Sequence, residues 1–272
     1  MTADRKRSVL ITGAGAGLGA TLAVKAAEDG WLVGVLDRDA DAAARTAATI
    51  GSAAVALAAD TTDESAVEAA LDAFATATSA PAPDAVVCNA GIVRFGPLLG
   101  IDADAWRTVV DVNLTGTFLT ARASARRMVE AGTGGSIVAV TSMNGVAAGP
   151  NSGAYGSTKA GVALLVQQMA LEWGPVGIRV NAVAPGLIDA GMSEPIYADP
   201  SIRRRRSERV PLGRLGTASD VAAVVLFLLS DAAGYVSGTE ILVDGGVTMS
   251  VITSLPRPLA VDSVGAPESS DP

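Results

Sequence analysis

The amino-acid sequence predicts an α/β fold in which a single domain holds a doubly wound, seven-stranded parallel sheet with helices on both faces. Short segments that are apolar throughout alternate with longer segments of helical pattern. Strands without polar alternation are typical of parallel sheets, because helices cover both faces of such sheets. The length of 272 residues fits one large domain, and we find no internal repeat. In folds of this class, ligands bind beyond the carboxyl ends of the strands.

Seven apolar runs are the predicted strands, and they comprise residues 8–12, 32–36, 53–58, 85–88, 136–141, 178–183 and 241–243. The predicted helices lie between them, at residues 18–29, 39–49, 62–76, 102–131, 154–173 and 219–229. Gly30 is expected to end the first helix, and either Thr62 or Ser65 to cap the third. Residues 102–131 are expected to form one helix or two.

The composition changes after about residue 247, where four prolines occur among serine and aspartate residues. We therefore predict one folded domain at residues 1–249 and an extended or disordered tail at residues 250–272. A tail that covers a neighbouring subunit or the ligand cleft is the alternative.

Charge and cysteine content exclude several functional classes. The net charge of -8 argues against nucleic acid as the main partner. Cys88 is the only cysteine, so no intrachain disulfide can form, and a reduced cytoplasmic compartment is the simplest expectation. The apolar run at residues 221–229 is too short to span a bilayer, and we predict no membrane partner.

The chain contains no histidine. Together with the single cysteine, this argues against a zinc site, and we predict no metal. It also excludes nucleophile arrangements that require histidine, such as Ser-His-Asp. A general acid or base must therefore be a carboxylate, a lysine or a tyrosine.

Tyr155 and Lys159 stand four residues apart in a predicted helix. Residues at this spacing share one helix face, so the phenol and the ammonium group would stand side by side. A nearby cation lowers the pKa of a phenol from its usual value of about 10, which suits it to exchange a proton with an alcohol or a carbonyl. Such pairs also occur by chance in many helices, and Lys159 could instead be a solvated surface charge.

A glycine-rich segment, TGAGAGLG at residues 12–19, lies between the first strand and the first helix. Glycines at this position let backbone N–H groups approach a pyrophosphate at the helix N-terminus. The pattern G-x-G-x-x-G fails when started at Gly13, and from Gly15 it needs Ala20 as its last member. The spacing of Gly13, Gly17 and Gly19 is the other form of the motif, and a plain tight turn is the structural alternative.

Asp37 follows the glycines by roughly twenty residues at the end of the second strand, where an acid binds the hydroxyls of an adenosine ribose. A carboxylate there repels a 2′-phosphate, so NAD is favoured over NADP. Arg38 opposes this preference, because a cation could accommodate the phosphate. The alternative role for Asp37 is the N-cap of the helix that begins near Asp39.

These motifs and several others occur in the order found in one enzyme family. Over residues 8–246 the chain resembles the short-chain dehydrogenases/reductases, which implies a Rossmann-like form of the predicted fold. The resemblance is carried by Thr12, Gly13, Gly17 and Gly19, by Asp60 and Thr61, by Asn89, Ala90 and Gly91, by Asn113, Ser142, Tyr155 and Lys159, by Pro185 and Gly186, and by Val243 to Gly246.

The resemblance implies four catalytic residues. Tyr155 would be the general acid/base on the substrate oxygen, and Lys159 would lower its pKa and bind the nicotinamide ribose. Ser142 would orient the substrate oxygen, and Asn113 would hold a water molecule that links Lys159 to solvent. In the structural alternatives, Ser142 is a turn residue and Asn113 caps the second part of a broken helix.

The implied cofactor is a nicotinamide dinucleotide, which carries out the hydride transfer. The expected cofactor-binding residues are Gly13, Ala16, Gly17, Leu18, Gly19, Asp37, Arg38, Asp60, Thr61, Asn89, Ala90, Gly91, Tyr155, Lys159, Pro185, Gly186 and Ile188. The family is commonly tetrameric, so a homotetramer or a homodimer is expected.

One position departs from the family pattern beside the expected nicotinamide site. Ala190 stands where the family often has a threonine that helps hold the carboxamide, so a hydrogen bond is missing or comes from another group, such as Ser193. Backbone groups of Ile188 are expected to reach the carboxamide.

The substrate end is expected in the loops that follow the strands. Ser142, Asn144, Tyr155 and Met192 are the predicted substrate-binding residues, and the segment from residue 191 to residue 212 is the expected specificity loop. Additional pocket candidates are Arg94, Phe95, Val146 and Ala147. The run of arginines at residues 203–206 suggests either an anionic substrate or a solvated helix face.

The sequence therefore predicts an NAD-dependent oxidoreductase that interconverts a secondary alcohol and a ketone, with a small molecule as its partner. Reduction of an enoyl or imine group is the alternative within enzymes. A dinucleotide-binding regulator without turnover is the alternative from another class, and Ala190 is its main support.

Overall fold

The computed structural model describes residues 5–254, with side-chain surroundings described for residues 5–250. Within this range, seven parallel strands form one sheet in the order β3-β2-β1-β4-β5-β6-β7, with helices on both faces. The predicted fold class is confirmed. The strands are β1 Ser8–Thr12, β2 Leu32–Asp37, β3 Ala54–Ala58, β4 Ala85–Cys88, β5 Gly135–Val140, β6 Ile178–Pro185 and β7 Glu240–Val243.

The helices connect successive strands and cover the sheet. They are α1 Gly17–Glu28, α2 Ala40–Ile50, α3 Glu64–Thr78, α4 Ala103–Val110, α5 Gly116–Ala131, α6 Met143–Val146, α7 Tyr155–Trp173, α8 Glu194–Tyr197, α9 Pro200–Ser207 and α10 Ala218–Leu229. Among the described residues, no helix is long and apolar enough to cross a membrane.

Two hydrophobic cores, one on each face, explain why the strands lack polar alternation. Leu10 of β1 points into the core formed with Phe74 of α3 and Met128 of α5. Its neighbour Val9 points into the opposite core, with Leu22 of α1 and further residues of α10. Successive side chains of a strand face opposite sides of a sheet, so each must be apolar when both sides are covered.

Two helix caps differ from the sequence-based expectations. Asp63 caps α3 by accepting hydrogen bonds from the backbone N–H groups of Ser65 and Ala66. The prediction of Thr62 or Ser65 was wrong because a carboxylate can accept from both N–H groups, and the Ser65 hydroxyl itself donates to Asp63 over 2.6 Å. Asp39, not Asp37, caps α2 by accepting from Ala42 N.

Residues 102–131 form two α-helices joined by one turn of π-helix, Asp111–Thr115. The helical path does not break at this point, so Asn113 caps no second helix. An extra residue in a helical turn rotates the following side chains relative to the preceding ones, and such turns are frequent at functional sites.

The segment after β7 continues in a helical form. Asp244 accepts hydrogen bonds from Gly246 N, from Thr248 N and from the Thr248 hydroxyl, at 2.8, 2.8 and 2.6 Å. A 3₁₀-helix, Val247–Ser254, follows. The first five residues of the predicted extended tail are therefore helical, and residues 255–272 lie outside the described residues.

Candidate active site

A cleft of about 460 Å³ opens at the carboxyl edge of the sheet. The chain moves outward from β1 to β3 on one side and from β4 to β7 on the other, so the loops after β1 and β4 diverge and leave a crevice between them. Every residue predicted to bind the cofactor lines this cleft, as do Ser142 and Met192. Residues scattered over more than 170 positions of the sequence, from Gly13 to Met192, are thus brought together.

The glycine-rich turn requires glycine for reasons of space and of backbone conformation. Gly13 and Gly17 have φ values of 62° and 55°, in the left-handed region that side chains disfavour. A Cβ atom on Gly13 would lie 2.9 Å from Cα of Ala90, and one on Gly19 would collide with the Gly13 carbonyl oxygen. The geometry therefore supports the spacing of Gly13, Gly17 and Gly19 as the form of the motif.

Asn89 and Thr12 join the ends of β4 and β1. The Asn89 side-chain amide donates to the carbonyl oxygens of Thr12 and Gly13 at 2.9 and 3.0 Å. The Thr12 hydroxyl accepts from the backbone N–H groups of Asn89 and Ala90, both at 3.0 Å. These four hydrogen bonds hold the glycine-rich turn against the loop that follows β4.

Asp37 and Asp60 lie in the cleft at the ends of β2 and β3. The Asp37 carboxylate accepts from Gly15 N at 2.9 Å and from Asp39 N at 3.0 Å, one bond on each oxygen. Each carboxylate oxygen retains acceptor capacity for a ligand hydroxyl. Asp60 accepts from both the backbone and the hydroxyl of Thr62, which fixes the loop after β3.

Tyr155 is the first residue of α7, and Lys159 lies one turn further along the same face. The Lys159 ammonium nitrogen donates to the carbonyl oxygen of Val140 at 2.7 Å and lies 5.6 Å from the centre of the Tyr155 ring. Lys159 is only 3% exposed, so it is not the solvated surface charge of the structural alternative. The bond to Val140 anchors α7 to the end of β5.

Burial dominates the ionisation of both groups. It lowers the pKa of Lys159 to about 8, against a small opposing effect of Cys88. It also raises the pKa of Tyr155, and the hydrogen bond with Ser142 lowers that pKa by less. Desolvation of the phenolate is thus the largest effect on the pKa of Tyr155 among the protein's own groups, and the lowering of that pKa by Lys159 stays a prediction.

Ser142 lies two residues beyond the end of β5 and is 7% exposed. Its hydroxyl oxygen accepts from Asn144 N at 3.2 Å and so caps the short helix α6, as the turn-residue alternative supposed. It also interacts with the Tyr155 phenol and lowers the pKa of that group. One hydroxyl therefore serves both a structural and a potential catalytic role.

Asn113 lies behind the cleft and is fully buried. Its side chain bonds the backbone N–H and carbonyl of Ile92 at 2.8 and 2.9 Å and donates to the Thr158 hydroxyl at 3.2 Å. A Cβ atom on Gly91 would lie 3.3 Å from the Asn113 carbonyl oxygen and 3.4 Å from the Lys159 nitrogen. Gly91 therefore keeps open the space where these two polar atoms converge, and the water-holding role stays a prediction.

The loop after β6 covers the glycine-rich turn. A Cβ atom on Gly17 would lie 2.8 Å from Cα of Gly191, and both glycines have φ near 55°. Arg203 donates to the Asp189 carboxylate at 2.5 Å and to the Tyr197 carbonyl at 3.2 Å, which ties α9 to the base of this loop. Since Arg206 contacts Tyr197 and Arg204 pairs with Glu208, much of the arginine run serves the fold.

The substrate end of the cleft differs in part from the prediction. Met192 lines the cleft from the 3₁₀ turn Gly191–Ser193 and is 50% exposed. Asn144 does not line it, and its side-chain oxygen lies beside Gly149 instead. The sequence analysis missed several residues that line the cleft. Each is a neighbour in sequence of a predicted site residue, and this position could have indicated it. They are Leu36, Ala59, Ile92, Val112, Val140, Thr141 and Gly191.

Comparison with known proteins agrees with this geometry. Residues 13–248 match the family model described as enoyl-(acyl carrier protein) reductase. The chain is 38% identical to an L-rhamnose 1-dehydrogenase (NAD(P)(+)) of Azotobacter vinelandii, covering 90% of this chain and 98% of that one. It is 39% identical to a cis-4-hydroxycyclohexanecarboxylate dehydrogenase of Sinomonas cyclohexanicum, covering 89% and 97%. A short-chain type dehydrogenase/reductase of Mycobacterium ulcerans superposes with a TM-score of 0.85 at 34% identity, covering 90% of each chain.

The chain belongs to the short-chain dehydrogenase/reductase family. Its named relatives are dehydrogenases of hydroxyl-bearing substrates, and it is an NAD(P)-dependent oxidoreductase.

The residues of this family member fit a dinucleotide. The glycine-rich turn lines the cleft at the N-terminus of α1, where backbone N–H groups and the helix dipole can bind a pyrophosphate. Asp37 lies where it can bind a ribose, and Tyr155 with Lys159 lies at the other end of the same cleft. Across residues 5–254, we find no cluster of three or more side chains able to hold a metal ion.

We expect Lys159→Met to raise the free energy of unfolding at pH 7 by about 1–3 kcal/mol, since it removes a buried charge whose pKa is shifted from 10.5 to about 8. Between these two values the unfolded chain binds a proton that the folded chain releases, so wild-type stability rises with pH. The stability that Lys159→Met gains over the wild type should shrink as the pH rises from about 8 to 10.5. Urea unfolding at pH 7 and at pH 10 measures the difference.

Lys25→Met is the matched control, because the Lys25 side chain is 42% exposed and pairs with Glu28 on the surface. It should change stability little at either pH. A Lys159→Met protein that is less stable than wild type at pH 7 would show that the burial cost of this charge is not the dominant effect.

Proposed function

We propose that this protein is an NAD-dependent oxidoreductase that interconverts a secondary alcohol and a ketone, with Tyr155 as the general acid/base. The observation that carries the proposal is that Tyr155, Ser142 and Lys159 line the same cleft as the glycine-rich turn and Asp37. The names of the relatives add support, since rhamnose and hydroxycyclohexanecarboxylate each carry hydroxyl groups.

The proton chemistry follows from the protein's own groups. Bound nicotinamide supplies or accepts the hydride. Tyr155 donates a proton to the substrate oxygen during carbonyl reduction and accepts it back during alcohol oxidation. Ser142 donates a hydrogen bond to the same oxygen and so stabilises the negative charge that develops there. With a pKa of about 8, Lys159 is mostly protonated at neutral pH and favours the phenolate form of Tyr155.

The preference for NAD rests on Asp37. Its carboxylate is held in the cleft by Gly15 N and Asp39 N, in a position where the 2′-phosphate of NADP would meet a fixed negative charge. Arg38 lines the same part of the cleft and opposes the preference. We propose that Asp37 dominates because its position is fixed by two backbone hydrogen bonds.

Tyr155→Phe should lower kcat by about 100- to 10,000-fold, because it removes only the hydroxyl that exchanges the proton. Affinity for NADH, followed by fluorescence titration, should be unchanged. Tyr235→Phe is the matched control, since the Tyr235 side chain is fully exposed. Turnover by Tyr155→Phe at the wild-type rate would rule out the acid/base assignment and would favour a non-catalytic dinucleotide-binding protein.

Wild-type protein should bind NADH more tightly than NADPH. Asp37→Asn should reduce this preference by about tenfold, because it removes the charge while leaving an acceptor for Gly15 N. Equilibrium binding of both dinucleotides is the measurement, and Asp41→Asn, a nearby exposed acid on α2, is the control. Tighter binding of NADPH by the wild type would contradict the proposed cofactor preference.

We also propose that the substrate carries an apolar group beside the reacting carbon. Each of the segments that follow β4, β5 and β6 exposes an apolar side chain: Phe95 is 65% exposed, Val146 45% and Met192 50%, and Met192 lines the cleft. Burial of such groups against a substrate contributes about 25 cal/mol per Å² of apolar surface. Sugars and other polyols would gain less from these contacts.

A panel of secondary alcohols with NAD⁺ tests this specificity. Aliphatic and cyclic alcohols should show kcat/KM at least about tenfold above that of polyols of similar size. Met192→Ser should lower kcat/KM for the apolar alcohols, whereas Val129→Ser, which changes an exposed residue on α5, should not. Preferential turnover of a sugar would overturn the assignment.

Enoyl reduction is the second candidate, and the description of the matching family model favours it. NADH consumption with an enoyl thioester but with none of the ketones would select it.

We also propose that the protein assembles as a homotetramer or a homodimer and that its location is cytoplasmic. The exposed Leu164 and Leu171 on α7 support self-association.

A further inference from the structure

We propose that Glu240 is a positioning residue for Ser142 and acts through the side chain of Thr141. The inference rests on the proposed function, because it gives Glu240 a role in the same reaction. Glu240 is the first residue of β7, and Thr141 lies between the end of β5 and Ser142. The Thr141 hydroxyl lies 2.5 Å from Glu240 Oε1, although β6 separates the two strands.

The carboxylate reaches across β6 because the intervening residue is small. In the register of β6 and β7, Glu240 pairs with Ala182, which is fully buried and has only a methyl group. A larger side chain at this position would occupy the path of the carboxylate. The contact therefore links three strands of the sheet at the edge where the cleft opens.

Thr141 is 1% exposed, so its hydroxyl depends on protein partners. The carbonyl oxygen of Val183 accepts from Thr141 N at 2.8 Å and lies 3.0 Å from the Thr141 hydroxyl oxygen. A hydroxyl has one proton, so the two acceptors compete for it. The carboxylate is the stronger acceptor, since hydrogen bonds to charged groups are shorter and roughly twice as strong as neutral ones.

Three consecutive residues at this point of the chain each serve the cleft. The Val140 carbonyl accepts from the Lys159 ammonium group, the Thr141 hydroxyl contacts Glu240, and Ser142 interacts with the Tyr155 phenol and lowers its pKa. The position of the Ser142 hydroxyl thus depends on the backbone of Thr141, which itself lines the cleft. Catalytic groups must be held within about 0.5 Å of the productive geometry, and loss of the Glu240 contact removes one of the restraints.

The ionisation of Tyr155 gives a test that needs no substrate. The hydrogen bond with Ser142 lowers the pKa of Tyr155, so displacement of Ser142 should raise that pKa further. Ultraviolet difference titration measures phenolate formation, and subtracting the signal of Tyr155→Phe removes the contributions of Tyr197 and Tyr235. In Glu240→Ala, Tyr155 should ionise at a higher pH than in the wild type.

Paired variants separate positioning from a general role in the sheet. Glu240→Gln keeps an acceptor for the Thr141 hydroxyl but loses its charge, so it should titrate between wild type and Glu240→Ala. Thr141→Val preserves the shape of the side chain without the hydroxyl and should match Glu240→Ala. The double variant should be no worse than either single one. Glu172→Ala, on the exposed face of α7, is the control and should leave the titration unchanged.

Kinetics provide the second readout, with a secondary alcohol that the wild type oxidises. Glu240→Ala and Thr141→Val should lower kcat by about 10- to 100-fold while the affinity for NADH stays constant. The proposal would be overturned if Glu240→Ala lowered thermal stability but left the titration of Tyr155 and kcat unchanged. It would also be overturned if the losses of kcat in the two single variants multiplied in the double variant. Full turnover by Tyr155→Phe would contradict the proposed function. The titration of the Tyr155 phenol would still decide the role of Glu240.

Discussion

The join between β1 and β4 is the constraint on which the rest of the site depends. The sheet reverses its order there, and hydrogen bonds from Asn89 and to Thr12 hold the glycine-rich turn against the start of the next loop. This loop continues to Gly91 and Ile92, and Ile92 fixes Asn113. Asn113 in turn contacts Thr158 on the helix that carries Tyr155 and Lys159. A single chain of short contacts thus connects the two ends of the cleft.

The strands were predictable because their cause is local. A strand covered on both faces must be apolar at every position, and the sequence records this directly in runs such as residues 85–88. The site residues were found because glycines, acids and the Tyr155–Lys159 spacing form an ordered set of motifs. The choice of Asp63 as a cap was harder, since three neighbouring polar residues compete for the same N–H groups.

Other features depend on contacts between distant residues, and no local pattern records them. The π-turn at Asp111–Thr115 accompanies the contacts of Asn113 with Ile92 and Thr158. Partial burial of Tyr155, which raises its pKa, comes from the folded chain and not from its neighbours in sequence. The contact of Thr141 with Glu240 joins residues 99 positions apart. Sequence reasoning selected the proposed catalytic groups, but their electrostatic environment required the folded chain.

The approach of Gly17 to Gly191 has a consequence for how this sequence can change over generations. The backbone of Gly191 occupies the space that a side chain on Gly17 would need, and both residues adopt a conformation that costs other residues energy. A mutation at Gly17 is therefore penalised twice, once locally and once through its partner, whereas a mutation at Gly191 is penalised by its own backbone conformation. Relief requires the loop after β6 to move away from α1, which would open the cleft. The residue allowed at position 17 therefore depends on a backbone 174 positions further along the sequence.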